Sequence, residues 1–320
     1  MKGRWLIGWT VIGAVLLASF SSGQAGRKIR IMAPCTPGCS WEVMAQNMAR
    51  VIKEEGIADS VEVYTITGNG IPAAVQKFAT EQRGNPNELM AMGLGGVGAT
   101  IIAGAPVQMT SFTPVARIAA EYEVLFAASN SPYKTLGDLV KAWKANPDAI
   151  VWGGTSRGST AHMLAGQLAR AVGIDPAKVK FNPSNGNLQG ARAMVAGDVT
   201  VVSVSYTAVE ELIKANQIRP LAISSPKRVA GLEIPTYAEQ GINLQFLNWR
   251  GVVAPPGITA SQRLQWQVLI GKLNRNAAWR ENATANNWLS YYQTGESFRT
   301  FLNEQQASVT DLLRSLTLIK

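Results

Sequence analysis

Three times in its first hundred residues the chain repeats one unit: an apolar or alternating run, a glycine- or proline-rich turn, and a helical period. The first unit passes from Lys28, Ile29, Arg30, Ile31 and Met32 through Ala33-Pro34-Cys35-Thr36-Pro37-Gly38-Cys39-Ser40-Trp41-Glu42 to Val43, Met44, Met48, Val51 and Ile52. The second alternates over 61–66, turns at Thr67-Gly68-Asn69-Gly70, and starts a helix with Pro72 in its first turn. The third runs from Leu89 to Met92 and reaches Gly93-Leu94-Gly95-Gly96-Val97-Gly98, read as a glycine-rich turn. Such alternation predicts an α/β sheet whose ligands sit outside the carboxyl ends of the strands. A turn feeding a helix there points free backbone N–H groups outward, at the positive end of the helix dipole. That is the chemistry of an anion site.

An extended run over 115–128 separates this series from a second one. Thr135 with Asp138 reads as a capping box before Leu139, Val140 and Trp143. A strand over 149–152 ends at Gly153-Gly154-Thr155-Ser156-Arg157-Gly158-Ser159, and a helix through Met163, Leu164 and Leu168 follows. Strands near 179–181, 199–204 and 220–223 continue the series, with Asn185 in one terminal loop and Ser205-Tyr206 in another. Val252, Val253 and Ala254 form a further strand, and helical patterns are expected to fill the remainder from Thr259 to Leu318. The expectation is two α/β lobes joined near 120–128 and 246–254, with the last helices returning to the first lobe.

Lys2 and Arg4 precede a short apolar run, and small residues lead to Ala25; this reads as a secretory signal peptide cleaved after Ala25. The net charge of +9 falls to +7 without it, and no dense Lys/Arg run suggests nucleic acid. Export to the periplasm leaves two states open for Cys35 and Cys39, the only cysteines: a disulfide across the turn, or two semi-buried thiols.

Two motif matches fail on context. Gly93 to Gly98 fits the dinucleotide fingerprint, but on the third strand of an exported chain, where a first βαβ unit is required. Gly154-Thr155-Ser156-Arg157-Gly158 fits the nucleophile elbow. Its only histidine, His162, lies in the helix that the elbow starts, where six residues rise roughly 9 Å. No acid followed by a histidine arrives from later loops, so a serine hydrolase at Ser156 is the weaker alternative. One histidine and two cysteines give no zinc pattern, and no cofactor is expected.

With both series laid out, the mature chain resembles the solute-binding receptors of tripartite tricarboxylate transporters, the Bug-type family. The resemblance rests on the turn from Pro34 to Glu42, on Phe112-Thr113-Pro114-Val115-Ala116-Arg117 with Glu121-Tyr122-Glu123, and on Leu221-Ala222-Ile223-Ser224-Ser225-Pro226 with Arg228. Ile234-Pro235-Thr236 with Glu239-Gln240-Gly241, and Asn248-Trp249-Arg250-Gly251 before Ala254-Pro255-Pro256-Gly257, extend it. It implies a two-lobed, type II periplasmic-binding-protein fold in which each lobe is a sheet flanked by helices and two crossover strands act as the hinge. It also implies a non-enzymatic, monomeric receptor that hands a small carboxylate to membrane subunits. A receptor serving a sensor kinase is the alternative binding role. This chain departs from the family turn at Cys39 and Ser40, where glycines are usual, and at Glu42, where Asp is usual. Arg157 stands where small or uncharged residues are usual.

The expected lobes are 26–122, 123–248 and the return 249–320. The first-lobe ligand contacts are Thr36, Pro37, Gly38, Cys39, Ser40, Glu42, Gly68, Asn69, Gly70, Gly95 and Gly96. Those of the second lobe are Thr155, Ser156, Arg157, Ser159, Asn185, Ser205 and Tyr206. Backbone amides of the first-lobe turns would take one carboxylate, the hydroxyls opposite would add donors, and Arg157 would read a second carboxylate. Glu42 would pair with Arg157 in an empty cleft or exclude larger anions.

Overall fold

The computed structural model describes residues 28–68 and 70–320. The signal-peptide expectation and Asn69 therefore lie outside the described residues. In chain order, β1 (Lys28–Ala33), α1 (Ser40–Glu54), β2 (Ser60–Thr65), α2 (Gly70–Glu81), β3 (Glu88–Gly93) and α3 (Leu94–Ile102) build the first series. The long strand β4 (Thr113–Ala128) leads to the second series: α4 (Leu136–Ala145), β5 (Val151–Gly154), α5 (Thr160–Val172), β6 (Lys180–Pro183) and α6 (Asn187–Ala196). It continues with β7 (Val201–Ser205), α7 (Glu210–Lys214) and β8 (Ile218–Ile223). The chain closes with β9 (Leu247–Ala254), α8 (Ala260–Arg275), α9 (Ala277–Ala285), β10 (Leu289–Thr294) and α10 (Gly295–Ser315).

The sheet is organised on β4. Its residues from Thr113 to Tyr122 pair antiparallel with β9, and Ala116 to Ala120 also pair with β10. From Glu123 onward it pairs with β7 and β8. On one side β3, β1 and β2 extend the sheet beyond β9 in parallel, and on the other β5 and β6 extend it beyond β7 in parallel. Two α/β lobes thus share one crossing strand, with β9 beside it as the second.

Each lobe has the same topological device. In the first, α1 packs with Ile29, Ile31 and Leu89 on one face of the sheet, while α3, after the neighbouring strand β3, packs with Met90 and Met92 on the other. In the second, α5 covers Leu125, Ala127 and Trp152, while the helical turns after β7 cover Val124, Phe126 and Val204. Adjacent parallel strands whose helices leave to opposite faces open a crevice at their carboxyl ends.

Two local expectations are corrected. Gly93 to Gly98 is no loop: α3 starts at Leu94, because Leu94 and Val97 find buried apolar partners that outweigh the low helix propensity of glycine. The last part of the chain is not all helical. Leu289–Thr294 forms β10 at the edge of β4, where Tyr291 and Tyr292 remain exposed.

Candidate functional site

The first-lobe turn is braced by its own side chains. Cys35 and Cys39 form a disulfide with Cα atoms 6.3 Å apart, which settles the state that the sequence left open. Cys39 is the N-cap of α1, and its Sγ accepts the backbone N–H of Glu42 at 3.5 Å. The Glu42 carboxylate turns back and accepts the Gly38 N–H at 2.5 Å. The Cys39 N–H goes to the Thr36 carbonyl at 3.2 Å. Two of the amides expected to face a ligand are therefore bonded within the turn, and Glu42 pairs with Gly38, not with Arg157. The amides of Thr36 and Ser40 have no partner among the described residues. Thr36, Pro37, Gly38 and Ser40 are exposed, while Trp41 is buried behind them.

In the second-lobe turn Thr155, Ser156 and Arg157 are exposed, and Gly158 and Ser159 are buried. Gly158 has φ +72°, and a Cβ there would overlap Ile102 Cδ1, so glycine is favoured where this turn meets α3. Its N–H donates to His162 Nδ1 at 3.1 Å, and the imidazole stacks on Phe181 at 4.2 Å between centroids. Burial, aided by the nearby Arg157 charge, pushes His162 down to about 4, so the ring is neutral and its Nδ1 is an acceptor. His162 thus holds the turn in shape and is committed to Gly158, not to Ser156. Ser159, the N-cap of α5, makes no side-chain cap bond, and its buried Oγ has no partner among the described residues.

Between the turns, the two crossing strands form a charged floor. At the carboxyl end of β3, a Cβ on Gly93 would lie 2.6 Å from the Trp249 carbonyl and 2.9 Å from the Trp41 indole nitrogen. Glycine there lets Trp41 close against the strand that carries Arg250. Arg250 pairs with Glu121, both buried. Asn248 Nδ2 donates to Glu121 Oε1 and to Glu123 Oε1, each at 3.0 Å. Glu123 in turn lies near Thr160, the first residue of α5. Burial raises both carboxyls; Glu123 reaches about 7, with the Glu121 charge as the second cause, against weaker pulls from Thr160, Asn248 and Arg250. A polar chain therefore runs from Arg250, which lies beside Gly93 on the neighbouring strand, through Glu121, Asn248 and Glu123 to Thr160 at the start of α5.

The remaining expected residues are scattered around this path. Gly68 and Gly70 are exposed, with Gly70 opening α2. Gly95 and Gly96 lie in the first turn of α3, with Gly96 buried against Met109 and Trp41. Asn185 is exposed; Ser205 and Tyr206 are half-buried, and Ser205 lies opposite Glu123 in register. Glu121, Glu123, Asn248 and Arg250 had no site role in the sequence reading. Their signal was present as charged and amide residues alternating along otherwise apolar strands. Among the described residues no group of three or more His, Cys, Asp or Glu could hold a metal ion, and no helix is long and apolar enough to cross a membrane.

A family model described as the tripartite tricarboxylate transporter family receptor matches residues 103–318. A UPF0065 protein encoded between tcbD and tcbE in Pseudomonas sp. strain P51 is 30% identical over 153 residues, 47% of this chain and 45% of that one. The match thus spans less than half of that relative's length. Protein BugT of Bordetella pertussis is 26% identical over 72% of this chain and 71% of its own. Among solved structures, a Rhodopseudomonas palustris protein with adipate superposes with a TM-score of 0.78 at 19% identity, covering 91% of this chain and 98% of that one. MatC from the same species, solved with malate, gives 0.75 at 18%, covering 90% and 99%.

Proposed function

We propose a specific role for this chain, which belongs to the tripartite tricarboxylate transporter receptor family: it captures a small di- or tricarboxylate between its lobes and delivers it to the membrane subunits of such a transporter. The observation that carries this reading is the pair of crevices, one per lobe, connected by the floor of Arg250, Glu121, Asn248 and Glu123. The malate and adipate held by the two structural neighbours support the ligand class.

In this reading the lobes are 26–122, 123–248 and the return 249–320, with β4 and β9 as the hinge. A signal peptide over 1–25 sends a monomeric receptor to the periplasm. The unpartnered amides of Thr36 and Ser40 and the orphan Ser159 hydroxyl take one carboxylate, with Thr155 and Ser156 beside it. Arg157, exposed and without an ion pair among the described residues, offers its planar fork to a second carboxylate, a geometry lysine does not reproduce. Several charge-assisted bonds of about 1.5–3 kcal/mol each suffice for micromolar capture.

A thermal-shift screen of mono-, di- and tricarboxylates tests this. A ligand at 100 times its Kd adds about 2.7 kcal/mol of stability. A rise in Tm with at least one di- or tricarboxylate is expected; a flat response across the whole panel contradicts the reading.

A further inference from the structure

Two carboxylates two residues apart on one strand, closed off from water, are an unusual cost for a fold to carry. Glu121 is 5% and Glu123 2% exposed. They face a single guanidinium, Arg250, which pairs with Glu121, and a single amide, Asn248, whose Nδ2 serves both. With both carboxylates ionised the cluster holds one uncompensated negative charge in a medium where charges interact strongly. Among the described residues no hydrogen bond of normal geometry reaches Glu123 Oε2, although Thr160 lies near enough to favour its charged form; the buried Tyr237 hydroxyl and Ser203 Oγ are likewise without partners.

We propose that this cluster is a proton site: Glu123 takes up a proton as pH falls through neutrality, and capture of an anion by the second-lobe turn strengthens its hold, so that the acid binds together with a proton. The inference rests on the ligand reading given above only for its second half.

The charge count supports the first half. One proton on Glu123 leaves Glu121 and Arg250 as a neutral pair, and turns Oε2 from an unpartnered acceptor into a donor. The groups around it leave few other sources of compensation. On β4 there is Glu121, and on β9 Asn248 and Arg250. From α5 comes Thr160, with His162 two residues on and held neutral by burial. Arg157, in the turn before α5, is exposed. From the segment after β8 comes Tyr237, whose own proton is held more tightly because of burial and the Glu123 charge. On β7, Ser203 and Ser205 add no charge, and Ser224 is occupied with the Glu123 N–H and the Phe246 carbonyl. The rise of Glu123 to about 7 agrees with this arrangement.

Position supports the second half. Glu123 lies beside Thr160, at the N-terminus of α5, and opposite Ser205, where the other second-lobe loop begins. An anion held by that turn would add negative charge near a carboxyl that is itself closed off from water, so its charge favours the protonated form. The two half-sites then fill together: a negative ligand and a proton, one on each side of the start of α5.

Carboxyl ¹³C NMR of the full mature chain, titrated from pH 4 to 9 without ligand, tests the proton site. One glutamate should titrate near 7, and its resonance should vanish in Glu123→Gln or, if that variant does not fold, move in Glu123→Asp. All glutamates titrating below pH 5.5 would overturn the proposal. Repeating the titration with saturating malate or adipate, whichever the calorimeter shows to bind, should raise that midpoint by about one unit, a tenfold tighter hold on the proton. The same ligand should then take up protons at pH 7.5, seen as a difference in heat between phosphate and Tris buffers. Binding with no shift and no uptake overturns the coupling. If neither acid binds, those two ligands are excluded from the functional reading, while the ligand-free titration still decides the proton site.

Discussion

The Gly38 backbone N–H donates to the Glu42 carboxylate at 2.5 Å, so the first-lobe turn already holds a carboxylate of its own. A ligand carboxylate arriving there meets a like charge and one fewer free amide. Glu42→Gln keeps the size and an acceptor oxygen but removes the charge. It should tighten a dicarboxylate ligand by about tenfold, in line with one charge–dipole interaction of about 1 kcal/mol plus relieved repulsion. Calorimetry on both proteins reads this directly; weaker binding by the variant would show that Glu42 positions the ligand.

That contact also marks where the sequence stopped being informative. The strand–turn–helix units and the crossing strand β4 were legible because their apolar periodicity is long and regular. β10 was not, since Leu289-Ser290-Tyr291-Tyr292-Gln293-Thr294 sits at a sheet edge with three exposed residues in its middle and shows no buried face. Gly38, Cys39 and Glu42 were all legible as members of a strand-to-helix turn. That Glu42 occupies it depends on a side-chain rotamer, and that Cys35 and Cys39 are joined depends on Cα spacing; neither is written in a pattern. The floor was missed for a different reason: Glu121 and Glu123 on β4 meet Asn248 and Arg250 across more than a hundred residues of chain.

His162 should give the protein an acid-sensitive edge. Its folded value, about 4, lies below its ordinary 6.5, so between these values the unfolded chain binds more protons. Stability is therefore lost as pH falls from about 6.5 to 4, by up to about 3 kcal/mol. Glu123 slopes the other way, its raised value making stability fall as pH rises from about 4.5 to 7. Urea unfolding across pH 4–8 should show a broad maximum in wild type. In His162→Gln the acid-side loss should shrink, leaving stability to fall as pH rises from about 4.5 to 7.

Reducing the Cys35–Cys39 bridge should cost about 2 kcal/mol of stability, the loop entropy expected for so short a closed segment. The Cys35→Ser/Cys39→Ser double variant should lose less, since serine is a better N-cap for α1 than sulfur. Denaturation with and without reductant, beside the double variant, separates the two effects. An equal loss in both would mean that the cap contributes nothing.

Arg157→Ala should weaken a dicarboxylate by about 2–5 kcal/mol, while a monocarboxylate fragment of the same ligand should change little. Equal losses for the two compounds, measured by calorimetry, would assign Arg157 to general electrostatic attraction. No loss for either would leave it as a solvated surface group.

Capture of the ligand is expected to close the two lobes over it. In this structure the Gly158 carbonyl lies 2.5 Å from where a Cβ on Gly98 would sit, so the second-lobe turn already touches α3. Small-angle scattering on the empty protein, and on the protein saturated with an acid that raises its Tm, measures closure directly. A larger radius of gyration is expected for the empty form and, for the saturated form, the value calculated from this structure. An identical radius in both states would contradict it.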